Sequence, residues 1–101
     1  MKKWLYKHGE ALVQQMKTTA IPEEGIGIWY LGQETFLLKR GNKFILTDPY
    51  LTDYVDRFPE FVKGFWVRRY PSPVSPERLG FIDCVLCTHD HLDHMDPVPR
   101  W

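Results

Sequence analysis

The sequence predicts an α+β fold in which one N-terminal helix packs near a mainly antiparallel sheet. Three features lead to this prediction: helical apolar spacing over residues 2–17, alternating strands over 26–47, and a buried strand over 81–87 that ends in a histidine cluster. The 101 residues suffice for one small domain. We divide it into an N-terminal helical segment (1–20), a β-meander (26–49), an insertion (50–80) and a strand with the cluster (81–101).

The N-terminal segment has the pattern of an amphipathic helix. Leu5, His8, Leu12 and Met16 recur at helical spacing, and charged or amide side chains fill the opposite face. Pro22 and Gly25 then separate this helix from the sheet.

Three strands are predicted next, over residues 26–31, 35–39 and 43–47. Gly41 and Asn42 join the last two as a hairpin turn, because both residue types tolerate positive φ. Pairing should stop at Asp48-Pro49, since proline cannot donate to a strand ladder. The inner face of this sheet, with Trp29, Phe36, Phe44 and Ile45 as candidates, should require an apolar partner.

The segment between the meander and the last strand is less regular. It contains several aromatic residues and then three prolines, followed by a helical turn at Glu77-Arg78-Leu79. Cys84 and Cys87 form a C-x-x-C in the last strand, but strand alternation points them to opposite sides. We therefore interpret both as small buried hydrophobic residues rather than a redox or zinc pair.

Composition excludes several functional classes. Thirteen basic residues balance thirteen acidic ones, so no charge excess favours nucleic acid or an anionic membrane. No apolar run reaches the ~20 residues that span a bilayer. The charged N-terminus lacks the apolar core of a signal peptide, which predicts a cytoplasmic protein.

The cluster near the C-terminus carries the chemistry. Three of the four histidines lie in the run His89-Asp90-His91-Leu92-Asp93-His94. In an extended segment His89 and His91 point the same way, so both imidazoles can reach one metal ion. Asp93 and His94 diverge and can serve a second ion. A polar surface loop is the alternative; His8, alone on the helix, is expected to be packed or solvated.

This run matches the H-x-H-x-D-H motif of the metallo-β-lactamase superfamily. The segments Gly27–Leu38 and Phe44–Tyr50 resemble the opening strands of its branch of L-ascorbate-6-phosphate lactonase-like hydrolases. The resemblance implies an αββα sandwich, of which this chain is the first half.

The resemblance also implies roles for individual residues. His89 and His91 would bind a first divalent ion, and Asp93, the candidate catalytic residue, would bind a second with His94. Asp48 would accept a hydrogen bond from a ligand histidine and fix its tautomer; the alternative is a turn residue that caps the strand end. Zinc, manganese and iron all suit this donor set.

In the superfamily, a second half supplies another histidine, a bridging aspartate and a final histidine. No histidine follows His94 before the chain ends at Trp101. We therefore expect the N-terminal portion of a metal-dependent hydrolase, not active alone, whose full form uses a metal-activated hydroxide on a small ester, lactone or phosphodiester.

Two other functions stay open: a nuclease of the same superfamily, and a catalytically incomplete fragment that self-associates. Arg68 and Arg69 are candidates for binding a phosphorylated small substrate, with a solvated basic stretch as the alternative. As partner we expect a second copy or the missing C-terminal half, and neither nucleic acid nor a membrane.

Overall fold

The computed structural model describes residues 7–52 and 71–88. Within them one α-helix, α1 (Gly9–Thr18), packs on a four-stranded mixed sheet in the order β1-β2-β3-β4. The strands are β1 (Gly27–Gly32), β2 (Thr35–Arg40), β3 (Lys43–Thr47) and β4 (Cys84–Leu86). A 3-10 turn over Pro76–Arg78 lies before β4. No helix in the described part of the chain is long and apolar enough to cross a membrane.

The helix begins later than the periodicity predicts. His8 is extended, with φ −152° and ψ 171°, and the helix starts at Gly9. The N–H of Gly9 donates to the carbonyl of Pro73 at 2.6 Å, so a contact from a distant segment determines where the helix begins. Residues 2–6 of the predicted helix lie outside the described residues.

The meander is confirmed. β1 pairs antiparallel with β2, and β2 pairs antiparallel with β3. A two-residue turn joins β2 to β3, and in it Gly41 has a φ of 55°. β4 joins the same sheet, parallel to β3. β4 is shorter than predicted. Asp83 N–H donates to the Phe44 carbonyl at 3.0 Å, but it is the Asp83 carboxylate, not its carbonyl, that accepts from Phe44 N–H at 2.8 Å. Because this second bond involves a side chain, the strand ladder does not extend to Asp83.

One side of the sheet, the helix side, is closed within the chain. Alternate strand residues there form one buried cluster with α1, with one residue that follows β3 and with two residues of the 71–80 segment. Its members are Leu12, Val13 and Met16 of α1, Leu31, Leu37, Phe44 and Leu46 of the sheet, and Leu51, Val74 and Leu79. Burying such side chains is the main source of stability for this layer.

Lys39 also lies on the helix side and is only 3% exposed. Its Nζ donates to the carbonyls of Met16, Lys17 and Thr19, at 2.9, 3.1 and 2.8 Å. These carbonyls belong to the C-terminal end of α1, where main-chain acceptors lack partners within the helix and the helix dipole favours a positive charge. Lys39 therefore fixes the end of α1 to β2.

The opposite side, here called the outer face, is largely apolar and partly open to solvent. The register aligns two rows across the four strands: Ile28, Leu38, Ile45 and Cys84, then Tyr30, Phe36, Thr47 and Leu86. Ile28 is 64% exposed, Tyr30 59% and Leu86 53%.

The outer face corrects two predictions. The four residues proposed for one uncovered face are divided: Trp29 and Phe44 pack with the helix-side cluster, whereas Phe36 and Ile45 lie in the outer rows. Cys84 is exposed rather than buried, because its strand position places it on the outer face beside Ile45.

Candidate metal centre

The parallel pairing of β3 and β4 brings the carboxyl ends of two strands to one edge of the sheet. Asp48 follows β3 directly, and Thr88 lies two residues beyond β4. The two residues are 40 positions apart in sequence and in direct contact. His89 is the next residue, so this edge is where the histidine run begins.

Asp48 adopts a backbone conformation that is unusual for a residue with a side chain. Its φ is 44°, in the left-handed region that non-glycine residues rarely adopt and that aspartate tolerates better than most. Its N–H donates to the carbonyl of Leu86 at 2.8 Å, which ties it to β4. The residue is 7% exposed. Asp48 therefore ends β3 and at the same time joins it to the end of β4.

The Asp48 carboxylate holds Thr88 by both of its donors. The N–H of Thr88 donates to Oδ1 at 2.6 Å, and its hydroxyl lies 3.0 Å from Oδ1 and 3.1 Å from Oδ2. Hydrogen bonds to a carboxylate are stronger than those between neutral groups. This clamp fixes both the backbone and the side chain of the residue that precedes His89.

A buried hydroxyl supports Asp48 from β2. Thr35 is fully buried, and its Oγ1 donates to the Asp48 carbonyl at 2.8 Å and accepts from the Tyr50 N–H at 2.9 Å. Both main-chain groups lie beyond the end of the β3 ladder, where Pro49 cannot donate. The hydroxyl therefore satisfies two buried groups that the sheet leaves over.

Cys87 lies beside this carboxylate. Burial raises the pKa of the Cys87 thiol above its usual value, and the charge of Asp48 raises that pKa further. Both effects disfavour the thiolate, which is the form that attacks electrophiles and binds metals. Both thiols are free, and Cys87 is only partly buried, so neither cysteine is the fully buried residue that the sequence predicted.

The predicted ligands themselves lie outside the described residues. This holds for His89, His91, Asp93 and His94, and also for Arg68 and Arg69, so their roles stay predictions. Within residues 7–52 and 71–88 no three His, Cys, Asp or Glu side chains come together as a metal site. The predicted hydrogen bond from a ligand histidine to Asp48 likewise remains a prediction.

Two residues of this edge were not found by sequence reasoning. Thr88 stands at the start of the motif run, and its position immediately before a ligand was a usable signal. Thr35 had a weaker signal: it is a polar residue in phase with buried Leu37 on an alternating strand.

Comparison with known proteins identifies the family. The beta-lactamase superfamily domain matches residues 27–99, which include all four strands and the histidine run. The chain belongs to this family.

Individual relatives agree with that assignment. A UPF0173 metal-dependent hydrolase of Rubrobacter xylanophilus is 36% identical over an alignment of 80 residues, and the match covers 74% of this chain and 26% of the relative. A protein of the same description from Aeropyrum pernix is 33% identical over 71 residues, covering 70% of this chain and 23% of the relative. The chain thus spans about a quarter of the length of these two relatives.

A third relative carries a different name. The cytidine monophosphate-N-acetylneuraminic acid hydroxylase of Xenopus laevis is 33% identical over 70 residues, covering 69% of this chain and 11% of that protein. The shared segment therefore occurs in proteins named for different reactions. No solved structure matches the chain.

Proposed function

We propose that this chain supplies the first ligand cluster of a metal-dependent hydrolase. The observation that carries the proposal is the Asp48–Thr88 clamp, which fixes the chain at the residue before His89. Relatives described as metal-dependent hydrolases support the same function. In its full form the enzyme would act on a small ester, lactone or phosphodiester, within an αββα sandwich that this segment opens.

The donor set fits a divalent ion. His89 and His91 offer imidazole nitrogens, and Asp93 and His94 add a carboxylate and a further imidazole, which suit zinc, manganese or iron. When bound, the metal would supply activation of water at neutral pH. The role of the chain is to present these side chains from a fixed strand end, with Asp93 as the candidate catalytic residue.

The substrate follows from the resemblance rather than from the described residues. The lactonase-like branch favours a small phosphorylated lactone or ester, and Arg68 and Arg69 are the residues proposed to bind its phosphate. Equal numbers of acidic and basic residues disfavour RNA as the substrate.

Metal titration of the 101-residue chain by calorimetry tests the ligand assignment. We expect weak binding of Zn²⁺ or Mn²⁺, because a stable site requires three or four protein ligands. His89→Ala should abolish most of it. His8→Ala is the matched control, since His8 is the one histidine outside the run. Equal metal uptake by wild type and His89→Ala would contradict the assignment.

A chimera tests the reaction. This chain would replace the matching segment of the Rubrobacter xylanophilus relative, and the product would be assayed with Mn²⁺ or Zn²⁺ against lactones, phosphodiesters and single-stranded RNA. We expect hydrolysis of a small substrate that His89→Ala abolishes. Cleavage of RNA alone would favour the nuclease.

A second proposal concerns the isolated chain and rests on the outer face. We propose that a second copy covers it. Ile28, Tyr30 and Leu86 are each more than half exposed, and soluble monomers rarely leave a continuous apolar surface of this kind open. The formal net charge is +0, so two copies do not repel each other at long range. A two-fold dimer pairs identical faces and closes the assembly.

A further inference from the structure

We infer that Thr35 is a positioning residue for the metal-binding run, although it lies on β2, far from that run in sequence. The inference rests on the proposed function in its metal-binding part. It deepens that proposal by assigning control of the motif to a buried hydroxyl that is neither a ligand nor a neighbour of one.

The first step is the conformation of Asp48. A left-handed φ of 44° is strained for a residue with a Cβ, and it persists only where surrounding contacts hold it. Three contacts do so: the Leu86 carbonyl accepts from Asp48 N–H, the Thr35 hydroxyl donates to the Asp48 carbonyl, and Thr88 occupies the carboxylate.

The second step is the position of Thr35 within this set. Its Oγ1 bridges Asp48 and Tyr50, the residues on either side of Pro49, at 2.8 and 2.9 Å. The bridge fixes the backbone before and after the proline, so it determines the direction in which the Asp48 side chain leaves the strand. Thr35 is fully buried and Tyr50 is 1% exposed, so water cannot readily substitute for the hydroxyl.

The third step connects Asp48 to the metal run. Its carboxylate receives both donors of Thr88, which fixes the chain where His89 begins. If the Asp48 side chain rotates, the Thr88 N–H loses this acceptor, and the residue before His89 is no longer held by the carboxylate. Residues that support metal ligands from behind typically change metal affinity by about 10- to 100-fold when they are replaced.

The substitution Thr35→Val tests the inference, because valine keeps the shape of threonine and removes the hydroxyl. Thr35→Ser retains the hydroxyl and should rescue. Thr47→Val is the matched control: it makes the same change on the next strand, where the Thr47 hydroxyl donates to the Phe36 carbonyl at 3.3 Å on the outer face.

Two readouts are needed. Amide hydrogen exchange by NMR reports the Thr88 N–H without any metal, and calorimetric titration with Zn²⁺ or Mn²⁺ reports the site. In Thr35→Val we expect Thr88 to exchange about tenfold faster while Leu37 and Leu46 remain protected, and metal affinity to fall about tenfold. Thr35→Ser and Thr47→Val should stay within about twofold of wild type in both.

Wild-type exchange of Thr88 in a folded Thr35→Val variant overturns the inference. Unchanged metal affinity in a variant with faster Thr88 exchange overturns its metal-binding part. If wild type binds no metal, the proposed function fails, whereas Thr88 exchange still tests the clamp. If Thr35→Val does not fold, Thr35→Ala serves in its place. The inference is also overturned if, in wild type, the Thr88 amide exchanges as fast as the amide of Gly41 in the hairpin turn.

Discussion

The two faces of the sheet differ although neighbouring residues of the same strands form them. On the helix side Leu37 and Leu46 are fully buried, and even the ammonium of Lys39 has three carbonyl partners. On the outer face Ile28 and Tyr30 remain more than half exposed. Within residues 7–52 and 71–88, the helix side is packed against α1, whereas the outer face is the one for which we propose a partner. Stability should therefore depend on one face and association on the other.

The largest effect is expected from Leu37→Ala. Leu37 is fully buried against α1, so its truncation should lower the free energy of unfolding by about 2–5 kcal/mol. Leu38→Ala is the matched change on the outer face and should cost about 1 kcal/mol. Denaturant unfolding at low protein concentration separates the two. Equal losses would refute the distinction between the faces.

Lys39→Met should have the next largest effect. Methionine keeps most of the packing but leaves the carbonyls of Met16, Lys17 and Thr19 without their buried donor, which should cost about 1–3 kcal/mol. Arg40→Met, at the adjacent exposed position, is the control and should leave stability nearly unchanged. Thermal unfolding provides the measurement, and a stable Lys39→Met variant would show that the bonds to α1 contribute little.

Ile28→Thr should act on association rather than on stability. Threonine suits a strand as well as isoleucine does, but it removes apolar area from the outer face. The dissociation constant of the dimer should therefore rise about tenfold. Lys43→Thr introduces the same residue next to the hairpin turn, outside the apolar rows, and serves as control. Sedimentation equilibrium measures both. A wild-type chain that remains a well-folded monomer at about tens of micromolar would contradict the proposed dimer.

The smallest effect should come from Glu10, at the solvent edge of the helix side. The pKa of Glu10 is held below its usual value, first by a hydrogen bond from Gln14 and second by the Arg78 guanidinium, which lies 2.8 Å from the Glu10 carboxylate. A folded pKa below the unfolded one stabilises the protein above the unfolded pKa, and this contribution is lost as the pH falls through the folded pKa. Glu10→Gln should therefore slightly flatten the acid limb of a stability–pH curve. Superimposable stability–pH curves for Glu10→Gln and wild type would contradict this contribution of Glu10.

Much of the sheet was predictable because its signals are local. Alternation and the Gly41-Asn42 turn predicted the three strands of the meander to within one residue at each end. The apolar run over 81–87 predicted that β4 exists. Each of these signals depends on residues adjacent in sequence.

The remaining features depend on contacts between distant residues, which no local pattern encodes. The helix start is determined by the bond from Gly9 to Pro73, and β4 is shortened by the Asp83 carboxylate. Alternation alone does not say which set of residues meets α1, so Trp29 and Phe44, which pack on the helix side, were assigned wrongly to the uncovered face. At the site, the motif was recognisable from its spacing, but the support from Thr35 required the packed strands.

The parallel pairing of β3 with β4 has a kinetic consequence. The meander pairs residues close in sequence, whereas the contact between Asp48 and Thr88 closes a segment of 40 residues. Closing a long segment costs more chain entropy, so contacts of this separation form late in folding and open early. The anchor of the metal run should therefore assemble last, on a meander already in place. In rising denaturant the Thr88 amide should open to exchange before that of Leu37, and simultaneous opening of the two would indicate a single cooperative unit.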